Sequence, residues 1–187
     1  KEYYSTDYSG KARKFAETKS VDLRTKYSID IRSISQLTLI KHYCNIRSDF
    51  TIIEIGAGAG GFLFLLRQMG FKGRYVAFEP QRQAHEYLEQ LQGEVEREVF
   101  SQKEAIKYKD SVDLVVMSHA LEHFNPGKIL EVFCGVRTML KQGGIFFCEV
   151  PNANLKIFPN AGERVVPHLS FFSLKSLKYF TSKSGMK

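Results

Sequence analysis

The 187-residue sequence has no tryptophan, only three cysteines and five prolines, and no long apolar run. Cys44, Cys134 and Cys148 are odd in number and far apart, with no CxxC pair and no Cys/His spacing of the zinc-binding kind. A disulfide framework is therefore excluded and no metal is expected. The three read as reduced thiols packed in the interior, which suits a reducing, cytoplasmic setting. No segment approaches the roughly 18 consecutive apolar residues of a membrane helix, so no span is expected. The opening Lys1-Glu2-Tyr3-Tyr4 has no apolar stretch of the leader kind. Internal repeats and low-complexity tracts are absent as well.

What is present is a globular composition, with 43% hydrophobic and 13% aromatic residues. The length fits one domain with a sizeable core. The net charge of +7 is spread along the chain, in small groups at Lys11, Arg13, Lys14 and Lys19 and at Lys175, Lys178, Lys183 and Lys187. These read as solvated faces. Nucleic acid, an anionic membrane surface or a phosphorylated substrate could each exploit that balance.

Periodicity organises the rest. Residues 32–47 place Ile34, Leu37, Ile40, Tyr43 and Cys44 at helical spacing. From residue 50 onward, short apolar runs alternate with helical patterns. Strands are expected at 50–55, 74–79, 95–100, 113–117 and 145–150, and helices at 60–70, 81–92 and 127–141, the last ending at Gly143-Gly144. Ser173 is placed to cap a final helix running to about Lys183, with Gly185 as its stop. Such alternation predicts a doubly wound α/β fold with a parallel sheet. Its ligand site lies at the carboxyl ends of the strands.

The most informative stretch is Thr51-Ile52-Ile53-Glu54-Ile55-Gly56-Ala57-Gly58-Ala59-Gly60-Gly61, a strand entering a glycine loop. Glycine permits positive φ and lets a ligand approach the backbone, and the next helix offers free N–H groups. Gly56, Gly58 and Gly61 satisfy G-x-G-x-x-G, the dinucleotide fingerprint. Glu79 ends the second strand, where an acid binds ribose hydroxyls. A nicotinamide cofactor and a nucleoside-type methyl donor both fit this pattern.

Glu54 separates the two. A carboxylate two residues before Gly56 repels a pyrophosphate and suits an ammonium group. The loop also reads E-x-G-x-G-x-G, which resembles motif I of class I S-adenosylmethionine-dependent methyltransferases. Downstream, Ser118-His119-Ala120-Leu121-Glu122-His123-Phe124 is similar to the S-x-x-L-E-H segment of the small-molecule (type 11/type 23-like) branch of that family. Gly143-Gly144 followed by Pro151-Asn152 resembles its P-G-G…P-N pattern, with Gln142 in place of the usual proline. The resemblance spans about residues 35–185. No N-P-P-Y or P-C segment of base-methylating enzymes occurs, and nucleic acid is not expected as a partner.

The resemblance implies S-adenosyl-L-methionine as cofactor and a Rossmann-like sheet of strand order 3-2-1-4-5. It implies that Glu54, Gly56, Ala57, Gly58 and Gly60 hold the methionine part and the sugar, and that Glu79 binds the ribose. Pro80 would flank the adenine, Ser101 and Gln102 would meet its amino edge, and Ser118 and His119 would line the sulfonium. A hydroxyl nucleophile calls for a general base, and His119, His123 and His168 are the candidates. His168 lies in Val166-Pro167-His168-Leu169-Ser170-Phe171-Phe172, which resembles the H-x-x-F-F stretch of relatives acting on sugars and small metabolites. His42 and His85 read as surface residues. The expected acceptor is a small molecule, first of all a sugar or nucleotide-sugar hydroxyl. A nicotinamide-dependent oxidoreductase and a non-catalytic cofactor-binding module are the alternatives.

Two expectations concern organisation. Residues 1–34, with Tyr3, Tyr4 and Tyr8, read as a cap or lid before a methyltransferase domain over 35–187. The family's sixth and seventh strands would begin where this sequence stops, so the domain reads as C-terminally incomplete.

Overall fold

The structure is a computed structural model that describes residues 31–153 and 168–187. The expected tyrosine lid lies almost wholly outside the described residues. Five strands form one parallel sheet in the order β3-β2-β1-β4-β5. In chain order the elements are α1 (Ile31–Tyr43), β1 (Thr51–Ile55), α2 (Gly61–Gln68), β2 (Arg74–Phe78), α3 (Arg82–Gln90) and β3 (Glu94–Glu96). They continue with α4 (Gln102–Ala105), β4 (Val112–Ser118), α5 (Ile129–Met139), β5 (Leu140–Glu149) and α6 (Leu174–Lys183).

β1 is central because both of its faces are apolar. Ile53 and Ile55 pack with Phe100, Ala105, Val132, Phe133 and Val136, on the side covered by α4, α5 and α6. Ile52 packs with Leu37, Ile40, Leu63, Leu66 and Leu88 of α1, α2 and α3 on the other side. Burial on both faces is what a parallel strand between helical layers requires. The order reverses between β1, which pairs with β2, and β4, which pairs on β1's other edge. The helices that follow β1 and β4 therefore cover opposite faces of the sheet, and a crevice opens at the carboxyl ends of the strands.

Several boundaries differ from expectation for identifiable reasons. α1 buries Ser33, Gln36, Leu37 and Ile40, whereas Ile34 and Tyr43 are 52% and 74% exposed. The helix is rotated because Gln36 turns inward to polar partners at the ends of β4 and β5. β3 spans only Glu94–Glu96, because Phe100 leaves the sheet edge to pack edge-on against Phe78. α5 stops at Met139, and the next residue, Leu140, already pairs with Val112. Gly143-Gly144 is thus not a helix stop but part of a bulge in β5, where the register jumps between Val112 and Leu114. His85 is not a surface residue. It is 7% exposed and its Nε2 lies 2.7 Å from the Glu79 carbonyl oxygen. α6 begins as expected, with the Ser173 hydroxyl accepting from the Ser176 N–H.

Candidate active site

The crevice holds a cavity of about 680 Å³ at the carboxyl ends of β1, β2 and β4. Gly56, Gly58, Glu79, Pro80, Ser101, Gln102, His119 and His123 are all on its wall. The glycine loop is shaped by backbone alone. Gly56 has φ +81°, and a Cβ there would meet the Ala120 Cβ at 2.6 Å. Gly58, at φ +52°, has open space where a Cβ would stand. The first glycine is thus required by close packing of two loops, and the second by backbone conformation beside the cavity.

Glu79 closes this end. It is 4% exposed, and its two carboxylate oxygens accept backbone N–H groups from Gln81 (2.8 Å) and Gly58 (2.7 Å). Burial pushes its pKa upward, and those two backbone donors oppose the shift. Each oxygen has further lone pairs, so the carboxylate can still accept from a vicinal diol in the cavity. Phe78, Val99, Phe100 and Val132 line the apolar side of the same space. Val99 is 53% exposed, and together with Pro80 it offers a purine ring apolar surface to lie against.

The other end is built on the turn after β4. His119 takes a left-handed backbone conformation, φ +49°, and its N–H donates to the Glu149 carbonyl at 2.9 Å. A non-glycine residue held there marks a conformation over-determined by its surroundings. Its imidazole Nδ1 lies 3.5 Å from Glu122 Oε1 and its Nε2 3.9 Å from Glu149 Oε1. The Glu122 carboxylate raises the His119 pKa, with burial opposing. Next along the turn, Glu122 is 1% exposed. Its carbonyl accepts the N–H groups of Leu169 (2.8 Å) and Ser170 (3.0 Å), which brings His168 beside it. The His123 and His168 rings lie 5.2 Å apart. The three expected histidines thus converge, although His168 is not on the cavity wall.

Glu54, Ala57, Gly60 and Ser118 are also off the wall. Glu54 faces α1 and α2, 5% exposed, and accepts a hydrogen bond from the Tyr75 hydroxyl. Burial first of all pushes its pKa up to about 8, against the Tyr75 hydrogen bond. Ser118 donates to Glu149 Oε2 at 2.8 Å and accepts from Gln36, tying α1 to the ends of β4 and β5. Among the cysteines, Cys44 is buried and its pKa is raised by burial. Burial also pushes the Cys148 thiol up to about 12, with Glu122 and Glu149 adding to the shift.

Sequence reading did not single out Phe78, Val99, Phe100, Lys103, Lys128 or Val132 as wall residues. Phe78 and Phe100 ended or followed expected strands, so their position next to strand carboxyl ends was the available signal. Nothing in local spacing marked Lys128 or Val132, which reach the cavity from α5 and the turn before it.

Fold and site define a class: an open α/β sheet with a glycine loop and a buried acid at its switch point. A methyltransferase-domain family profile matches residues 17–187. The chain belongs to that family and is an S-adenosylmethionine-dependent methyltransferase. Solved structures agree on the fold. An S-adenosylmethionine-dependent methyltransferase from Archaeoglobus fulgidus superposes with TM-score 0.62 at 20% identity, covering 87% of this chain and 72% of that one. One from Aquifex aeolicus gives TM-score 0.60 at 19% identity, covering 86% and 85%. A Haemonchus contortus phosphoethanolamine N-methyltransferase, solved with phosphomonomethylethanolamine and S-adenosylhomocysteine, gives TM-score 0.62 at 16% identity. It is covered over only 36% of its length, against 81% of this chain. A search of curated proteins returns no match. Among the described residues no helix is long and apolar enough to cross a membrane.

Proposed function

We propose that the chain methylates a hydroxyl of a small-molecule acceptor, first of all a sugar or nucleotide sugar. The observation that carries the reading is the pairing of Glu79 with the glycine loop on one wall and imidazoles on the opposite wall of one cavity. In this reading Glu79 takes the ribose hydroxyls. Pro80, Val99 and Phe100 hold the adenine, and Ser101 and Gln102 lie at its edge. Gly56, Ala57, Gly58 and Gly60 shape the loop around the sugar. Glu54 and Ser118 support the site from behind, through Tyr75 and Glu149.

The sulfonium already makes the methyl group electrophilic, so the protein's task is alignment and exclusion of water. His119, on the wall with Glu122 behind it, is the group placed to take the acceptor's proton. His123 also lines the cavity, and His168 lies 4.0 Å from the same Glu122 oxygen. Lys103 and Lys128 bring positive charge to the cavity and suit an acceptor bearing phosphate.

Isothermal calorimetry with S-adenosylhomocysteine tests the cofactor half: saturable binding is expected, weakened roughly 10- to 100-fold in Glu79→Ala. Equal binding by that variant overturns the assignment. Radiolabelled methyl transfer across a panel of nucleotide sugars and lipid-linked sugars tests the acceptor. Labelling confined to amines or carbon acids overturns it.

A further inference from the structure

Glu122 is a carboxylate whose burial the fold does not account for. At 1% exposure, neither of its side-chain oxygens makes a hydrogen bond among the described residues, and the His119 imidazole stands 3.5 Å away. A buried polar group left so usually has a catalytic, water-bound or ion-bound explanation. A charge taken out of water also carries a desolvation penalty that something must offset.

What surrounds it is imidazole. His123 follows directly in the Leu121–His123 turn. His168 is delivered by the two backbone hydrogen bonds onto the Glu122 carbonyl, with its Nε2 4.0 Å from Glu122 Oε1. One ligand atom from each of Glu122, His123 and His168 lies within 4.8 Å of the other two. We propose that these three residues bind a divalent first-row transition ion at the edge of the cavity. Two imidazole nitrogens and one carboxylate oxygen are a donor set that suits zinc, iron(II) or manganese better than magnesium. Three protein ligands leave a coordination position open. Because His123 also lines the cavity, an acceptor oxygen is the group to fill that position, where the ion would lower its pKa. That last role rests on the proposed hydroxyl acceptor, whereas ion binding itself does not. The competing compensation for Glu122 is a protonated His119 at 3.5 Å.

The full chain, stripped with a chelator, is titrated with zinc by calorimetry and with cobalt(II) by visible absorption, and separately with S-adenosylhomocysteine. One zinc per chain is expected, with d–d bands for cobalt and affinity reduced about 10- to 100-fold or more in Glu122→Gln and His168→Ala. The His168 ring is one-third exposed, so His168→Ala should fold even if Glu122→Gln does not. Its unchanged affinity for S-adenosylhomocysteine reports that it has. No saturable binding, or zinc binding of equal affinity in a folded His168→Ala, overturns the site and leaves His119 as the partner of Glu122. Zinc bound without S-adenosylhomocysteine binding would instead remove the cofactor assignment and leave the ion site standing.

Discussion

At the β1–β2 end the cavity is made of backbone and one carboxylate. At the β4–β5 end it is bordered by imidazoles from two distant stretches of chain. The first end is rigid by construction: alternating positive-φ glycines, and a Glu79 whose oxygens are both held by N–H groups. The second depends on His119 in a left-handed conformation and on the segment after His168 being stitched to Glu122 and Phe124. Binding a common cofactor tolerates a fixed, local device. In the proposed function, addressing a particular acceptor is left to side chains that can change without disturbing it.

Substitutions on either side should separate the two ends. His119→Asn is expected to lower kcat by about 10²- to 10⁴-fold, the usual contribution of a general base, with the affinity for S-adenosylhomocysteine unchanged. A matching loss of cofactor affinity would merge the two ends. Glu79→Ala should weaken S-adenosylhomocysteine by roughly 10- to 100-fold, as expected for losing hydrogen bonds to a charged acceptor. Calorimetry checks this.

Within the loop, Gly56→Ala combines positive-φ strain with a clash against Ala120, and should cost more than about 2 kcal/mol of stability. Gly58→Ala meets no neighbour and should cost only about 1 kcal/mol. Urea denaturation of the two variants measures the difference, and equal losses would remove the packing argument.

The remaining effect is one of pH and concerns Glu54. Its folded pKa, raised to about 8 from an ordinary 4.5, means the folded chain holds a proton that the unfolded chain releases. The associated stability is complete below about pH 4.5 and is lost as pH rises through 8. Melting temperature should therefore fall less steeply between pH 5 and 8 in Glu54→Gln than in the parent. Parallel curves would show that Glu54 is ionised in the fold.

Much of this was legible because it is local. The glycine loop, Glu79 at a strand end and the alternation of strand and helix are each set by neighbours in sequence, so the parallel α/β fold could be read directly, and the strand order that the resemblance implied is the one found. The misreadings came from long-range contacts. Ile34 and Tyr43 had the right spacing for a core, but Gln36 is drawn inward by Ser118 and Glu149 and rotates α1. Gly143-Gly144 looked like a helix stop because the pairing of Leu140 with Val112 is invisible in sequence. The meeting of Glu122, His123 and His168 escaped spacing rules for the same reason, with no metal expected and 45 positions separating the two histidines.

The contact between Gly56 and Ala120 has a mechanical consequence. With one methyl group filling the gap between the loops after β1 and β4, Ala120 acts as a spacer of fixed thickness between the glycine-loop side of the cavity and the histidine side. Methyl transfer is steep in distance. A larger residue at position 120 would pry the two apart and a glycine would let them drift, so turnover should be more sensitive to the gauge of this small residue than to many changes among the polar groups around it.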